Sequence, residues 1–196
     1  MSQSEWKAIA ELLGLLLTDR RMIVLITLLV IAATIDYRSH RIPNWLVLTG
    51  MFFGVIYNIM VPPFPHASYL WPLEGLGLGF IAFLPLYMLG VMGAGDVKLM
   101  AMVGAIIGPV DVAWALLCTM IVGGALSIVL VLTRGTVQRL LENFTSVFQL
   151  TYLDAGAGVR PRLHFDETVS AGKLPYGVAI AMGTIGYLLL HSFGYL

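Results

Sequence analysis

Two carboxylates carry the chemistry open to this sequence. Asp36 stands in Thr34-Ile35-Asp36-Tyr37-Arg38, directly after an apolar run, and Asp96 stands in Gly93-Ala94-Gly95-Asp96-Val97-Lys98, directly before another. Ionisable groups beside or within a membrane are costly to keep there, so each raises a functional expectation. The plainer reading places each in the headgroup region, paired with its neighbour Arg38 or Lys98. Together the two support more. If they share a site, mutual repulsion keeps one protonated while the other is ionised near neutral pH. The ionised carboxylate can take a proton from water, and the protonated one can polarise a peptide carbonyl and later protonate the leaving amine. That is the logic of an aspartic protease. Spacing alone does not bring the pair together, because the two are 60 positions apart.

The neighbouring residues say how each carboxylate would be held. Glycines at 93 and 95 oppose a stable helix, so a tight non-helical turn is expected between two membrane runs. Such a turn is tolerated near membrane depth only when it is buried in protein or lines a water-filled cavity. Asp96 would occupy that cavity at the start of a helix whose positive end favours an anion. The glycines would also let another backbone approach closely. After Asp36, Pro43 stops the chain from continuing as helix, and Asn44 is expected as the N-cap of the next span. The other reading of Pro43-Asn44 is a role in holding substrate. Lys98 reads either as an interfacial anchor that snorkels to phosphate or as a partner for the Asp96 anion or an acidic substrate residue.

The elements that must position these residues are read from composition. The chain has 196 residues, 59% hydrophobic and 11% charged, against roughly 45–50% and about 25% in a soluble domain. With a mean hydropathy of +0.89 this excludes an ordinary water-soluble globule. Eleven basic and eleven acidic residues cancel, so no nucleic acid is expected as a partner. The lone Cys118 excludes an intramolecular disulfide, and His40, His66, His164 and His191 fall in unrelated segments. Neither a metal site nor a cofactor is expected.

A bilayer core needs about 20 apolar residues per straight helix, or fewer where a helix end lies in an interior cavity. Six runs qualify: 22–35, 45–61, 73–92, 97–108, 112–132 and 174–191. The expected fold is all-α, a polytopic membrane protein with six transmembrane helices over 22–196 and a polar cytoplasmic loop, 133–173, before the last. An amphipathic helix is expected within that loop over 137–150. Residues 1–21 read as an interfacial amphipathic segment, with Trp6, Ile9, Leu12, Leu13 and Leu16 opposed by Lys7 and Glu11. A secretory signal built on Arg20-Arg21 and Ala32-Ala33-Thr34 is the competing reading. Eight of the eleven basic residues fall on one side, with both aspartates, which makes that side cytoplasmic and places both termini outside. Arg20-Arg21 is a counter-signal. Gly104 and Gly108, with Gly75, Gly77, Gly79, Gly123, Gly124, Gly183 and Gly186, are assigned to close helix packing. Pro85 should kink its span, and Asp19, Glu74 and Asp111 read as cap or loop residues on the far side.

Three blocks also carry a resemblance. Asp36 followed by Ile42-Pro43-Asn44, then Gly93-Ala94-Gly95-Asp96-Val97-Lys98-Leu99-Met100-Ala101, then Lys173-Leu174-Pro175-Tyr176-Gly177-Val178-Ala179-Ile180 resembles the type IV prepilin peptidases, which are GxGD membrane aspartic proteases. The blocks recur in family order across residues 36–180. The resemblance implies that Asp36 and Asp96 are the catalytic pair. It implies an active site on the cytoplasmic face of the bacterial inner membrane that cuts leader peptides from prepilins and pseudopilins after a glycine. Gly93 and Gly95 carry over as the turn before the second aspartate, and Pro175, Tyr176 and Gly177 as the block facing the site. Tyr176 reads either as part of an aromatic belt or as a hydrogen-bond donor to the carboxylates. Larger bifunctional members have an N-terminal region with paired cysteines and also N-methylate the product. Neither that region nor those cysteines are seen here, so the short branch serving Flp or tight-adherence pili is expected, without methyltransferase activity. Two rival classes are a small transporter using Asp36 and Asp96 as proton or cation sites and a non-catalytic assembly protein of a pilus or secretion apparatus. Oligomeric state is left open.

Overall fold

A computed structural model describes residues 19–64, 68–133 and 175–192. Among these, all regular structure is helical: α1 (Arg20–Ser39), α2 (Asn44–Met60), α3 (Trp71–Met88), α4 (Ala94–Ile107), α5 (Pro109–Thr133) and α6 (Tyr176–Ser192). Of the amphipathic segment expected over 1–21, residues 1–18 lie outside the described residues, as does the loop helix expected over 137–150, while Arg20 and Arg21 open α1. Three helices are long and apolar enough to cross a membrane, namely Arg20–Ser39, Trp71–Met88 and Pro109–Leu130. Two shorter apolar helices, α2 and α6, accompany them. Large apolar side chains such as Ile23, Phe52, Ile81 and Ile121 face outward, as lipid contact requires. The chain is a membrane protein.

The chain divides into two compact units. Residues 1–123 and 175–196 form the first, and residues 124–174 the second. In the second, the described part is the end of α5, with Ile128, Val129 and Leu132 exposed. Apart from Gly124, the residues discussed below belong to the first.

At the centre of the first unit is α4. Its residues Val97 and Leu99 through Ile107 are all buried. It packs most extensively on α3, next on α2, and also touches α6 and α1. Backbone contact makes this possible. A Cβ on Gly75 of α3 or on Gly104 of α4 would collide with the other's carbonyl oxygen, and a Cβ on Gly54 of α2 would lie 2.9 Å from the Ala105 carbonyl. Without side chains at these positions the helices gain dispersion contacts along their whole length. The packing role assigned to Gly75, Gly79, Gly104, Gly108 and Gly183 matches these close approaches, whereas Gly77, Gly124 and Gly186 face open space.

Polar ties mark the end of the bundle away from Asp36. Asp19 caps α1 by accepting from the Arg21 backbone N–H, and the Arg21 guanidinium returns to the Asp19 carboxylate at 2.6 Å. Burial alone would raise the Asp19 carboxyl, but the hydrogen bonds and charge of Arg21 outweigh it and hold the group below its ordinary value. Arg21 Nη1 also donates to Asn58 Oδ1 at 3.1 Å, and Asn58 Nδ2 donates to the Ala105 and Ile106 carbonyls at 3.0 and 3.1 Å. The Tyr187 hydroxyl of α6 donates to Asp111 at 2.7 Å. Arg21, read from the sequence as a topological counter-signal, therefore has its charge paired inside the structure.

Candidate active site

Helix α1 turns one stripe inward, formed by Leu25, Leu29, Ala32 and Asp36. The steps of four, three and four residues keep these on one helical face. Asp36 thus continues the apolar seam, 5% exposed, in the last turn of its helix. The apolar run ends at Ile35, but α1 runs on to Ser39 and ends at His40 in the left-handed region (φ 49). Asp36 is consequently inside the helix rather than just beyond it, a correction to the run-end placement. A carboxylate there faces the negative end of its own helix dipole. The offset comes from α6, whose second residue, Gly177, donates its backbone N–H to Asp36 Oδ2 at 2.7 Å. Such an approach needs glycine: a Cβ on Gly177 would sit 2.8 Å from that oxygen and 2.9 Å from the Asp36 Cβ.

Asp96 occupies the third position of α4, 7% exposed. Its Oδ2 accepts from the Gly93 backbone N–H at 3.0 Å, the acidic half of a capping box. The expected glycine turn is displaced. The left-handed residue is Gly90 (φ 72), Gly93 is an extended N-cap (φ −81, ψ 155), and Gly95 is already helical. Gly95 has a different function, because a Cβ there would come 3.1 Å from the Ile42 Cβ. Its bareness admits the 40–43 connection against the start of α4.

The two carboxylates lie within electrostatic reach of each other, the charge of Asp36 acting at Asp96 and that of Asp96 acting at the Tyr176 hydroxyl. Residues 36, 93, 95, 96, 176 and 177 are thereby gathered at one end of the bundle. Pro175 precedes α6, and its carbonyl accepts the Val178 N–H at 3.1 Å. Pro43 is the N-cap of α2 in an extended conformation (φ −69, ψ 133), and Asn44 is already helical. Asn44 therefore does not cap as expected. Its Oδ1 instead accepts from Lys98 Nζ at 3.0 Å in an exposed pair, so Lys98 is engaged with Asn44. No group of three His, Cys, Asp or Glu residues able to hold a metal is present among the described residues.

Sequence reasoning missed Asn58, Arg21 and Tyr187 as tied polar residues. A lone amide inside an apolar run was the available signal, since buried polar groups in a membrane must find partners.

A pair of desolvated carboxylates, each steadied by a backbone N–H on one edge, can share a proton and act on a peptide bond from opposite sides. The model of the type IV leader peptidase family matches residues 23–128, a stretch that holds both aspartates and stops before Pro175. No curated protein and no solved structure matches the chain.

Proposed function

The chain belongs to the type IV leader peptidase family, which makes it a peptidase acting on prepilins, and from that premise we propose that it is an aspartic endopeptidase with Asp36 and Asp96 as its catalytic pair. The observation that carries the proposal is the meeting of two almost fully buried carboxylates, from α1 and α4, within reach of each other's charge. The ionised member takes a proton from a water that attacks the scissile carbonyl. The protonated member donates a hydrogen bond to the carbonyl oxygen and then passes its proton to the leaving amine. Gly177 and Gly93 each donate a backbone N–H to the Oδ2 of one carboxylate of the pair.

In this reading all six helices lie in the membrane and the pair faces the cytoplasm of the bacterial inner membrane. With 14 residues, α4 is about 21 Å long, roughly 9 Å short of the hydrocarbon thickness. Its N-terminus would therefore open into a water-filled recess, where a hydrolytic site needs it. The substrates are the leader junctions of Flp-like prepilins and pseudopilins, cut after a glycine. Pro43, Asn44, Lys98, Pro175 and Tyr176 line the approach.

The test is co-expression with a prepilin, comparing wild type with Asp36→Asn and Asp96→Asn. Each amide variant is expected to abolish processing, because an amide neither takes nor supplies the proton. Normal processing by either variant refutes the assignment. A transporter would instead show ion-dependent flux and leave the mass of any partner unchanged.

A further inference from the structure

The polar chain through Asp19, Arg21 and Asn58 begins on the helix that carries Asp36 and ends on the helix that carries Asp96. We infer that Asn58 and Arg21 are positioning residues that fix the axial setting of α4 against α1, and with it the placement of Asp96 opposite Asp36. The catalytic consequence rests on the reading of that pair given above.

Asn58 is 4% exposed, near the end of α2 and surrounded by apolar packing. The carbonyls it binds, of Ala105 and Ile106, belong to the last turn of α4, where a helix has no N–H donors of its own left for them. The carbonyl just before them, of Gly104, is already used by the Gly108 N–H. Asn58 thus caps α4 from a neighbouring helix. Arg21 fixes which way the Asn58 amide points, because its Nη1 takes the amide oxygen while Nε and Nη2 are held by Asp19. A directional chain of hydrogen bonds therefore runs from the first turn of α1 to the last turn of α4.

The other contacts of α4 cannot set that height so well. Apolar burial is non-directional. Where α4 meets α2 and α3 it meets Gly54, Gly75 and Gly79, faces that permit close approach, with Met102 and Ile106 seated against Gly50 and Gly54 by van der Waals contact alone. Hydrogen bonds, in contrast, weaken steeply with misalignment. Because α4 is a single short helix, a shift at Ala105 reappears at Asp96.

The setting can be read without enzymatic activity. In the full chain in proteoliposomes, with Cys118→Ser, cysteines at Ile42→Cys and Gly95→Cys report it, since the two Cβ positions fall 3.1 Å apart, close to disulfide geometry. Asn58→Ala is expected to slow oxidative cross-linking roughly fivefold or more. In cleavage-competent protein without the cysteine pair it should lower kcat about tenfold or more with KM within about twofold, because a misplacement near 1 Å can cost about 10²-fold. Arg21→Gln removes the link to α1, and the Asp19 ion pair with it, while leaving in place the Asn58 side chain that caps α4. It should move both readouts in the same direction by less, and the double variant should be no worse than Asn58→Ala, as expected of residues acting as one unit. Should Asn58→Ala fail to fold, Arg21→Gln carries the test. Unchanged cross-linking at equal folded fraction overturns the inference, as does a fall in kcat with the cross-linking rate intact. A cross-linking response in a chain whose wild type cuts no prepilin refutes the peptidase reading and leaves the positional one standing.

Discussion

Replacing Gly177 by alanine adds one methyl group at the tightest point around Asp36. The new carbon would stand 2.8 Å from Asp36 Oδ2, 2.9 Å from its Cβ and 3.0 Å from its Cγ, distances that folded proteins do not keep. Asp36 cannot swing aside cheaply, because it is a short buried side chain on the packed face of α1. The start of α6 must withdraw instead, stretching the 2.7 Å hydrogen bond from the Gly177 N–H. A hydrogen bond to a charged group contributes about 1.5–3 kcal/mol, and at about 1.4 kcal/mol per tenfold its loss corresponds to roughly a 10- to 150-fold fall in rate. The assay is single-turnover cleavage of a prepilin by purified enzyme in proteoliposomes. Gly177→Ala is expected to lose kcat in that range with KM changing far less, because the contact it disturbs is with Asp36. Gly186→Ala, in the same helix but facing open space, is the control and should cut normally. Cleavage by folded Gly177→Ala within about twofold of wild type would show that the contact does not hold Asp36 in place, and would refute this account of the Pro175-Tyr176-Gly177 block.

Three further outcomes follow from the fold. Gly104→Val forces a branched side chain into the Gly75 carbonyl and should destabilise the bundle by about 3 kcal/mol or more, seen as a large fall in the thermal unfolding midpoint; an unchanged midpoint would mean α3 and α4 do not pack by backbone. Asp19 is held below its ordinary value, so its contribution is complete above the unfolded value of roughly 3.9 and fades as pH falls through the lower folded one. Asp19→Asn should therefore lose stability relative to wild type at neutral pH, with the gap closing below about pH 4 in paired denaturation curves, and a gap independent of pH would contradict the ion pair with Arg21. Tyr187→Phe removes the donor to Asp111 and should cost about 1–3 kcal/mol of stability, with kcat per folded molecule retained.

The sequence located every described helix to within a few residues, because the apolar runs and the helices answer to the same requirement for hydrocarbon. Boundaries failed where helix and apolar run part company. Tyr37, Arg38 and Ser39 are exposed yet helical, so hydropathy ended α1 before its hydrogen bonds did. Asn44 misled as a cap because Pro43 already supplies the extended residue, which frees the amide for Lys98. Of the site, both aspartates stood out as charge placed beside apolar runs, whereas the inward direction of Asp36 went unread although Leu25, Leu29, Ala32 and Asp36 share one helical face. Their meeting was not legible, nor was the bond between Gly177 and Asp36, since contacts between residues 141 positions apart leave no local pattern. The network on Asn58 was hidden for the same reason, one polar residue among apolar neighbours with partners 37 and 47 positions away.

That wide separation between Gly177 and Asp36 has a consequence in time. A ribosome adding about 5–20 residues per second takes roughly 7–28 s to travel the 141 positions from one to the other. For the last 81 of those positions, roughly 4–16 s, a nascent chain holds both aspartates but lacks the donor that steadies the first. The bond that ties Asp36 to α6 forms only when the last described helix arrives, so a polypeptide released early enters the bilayer with that carboxylate unheld.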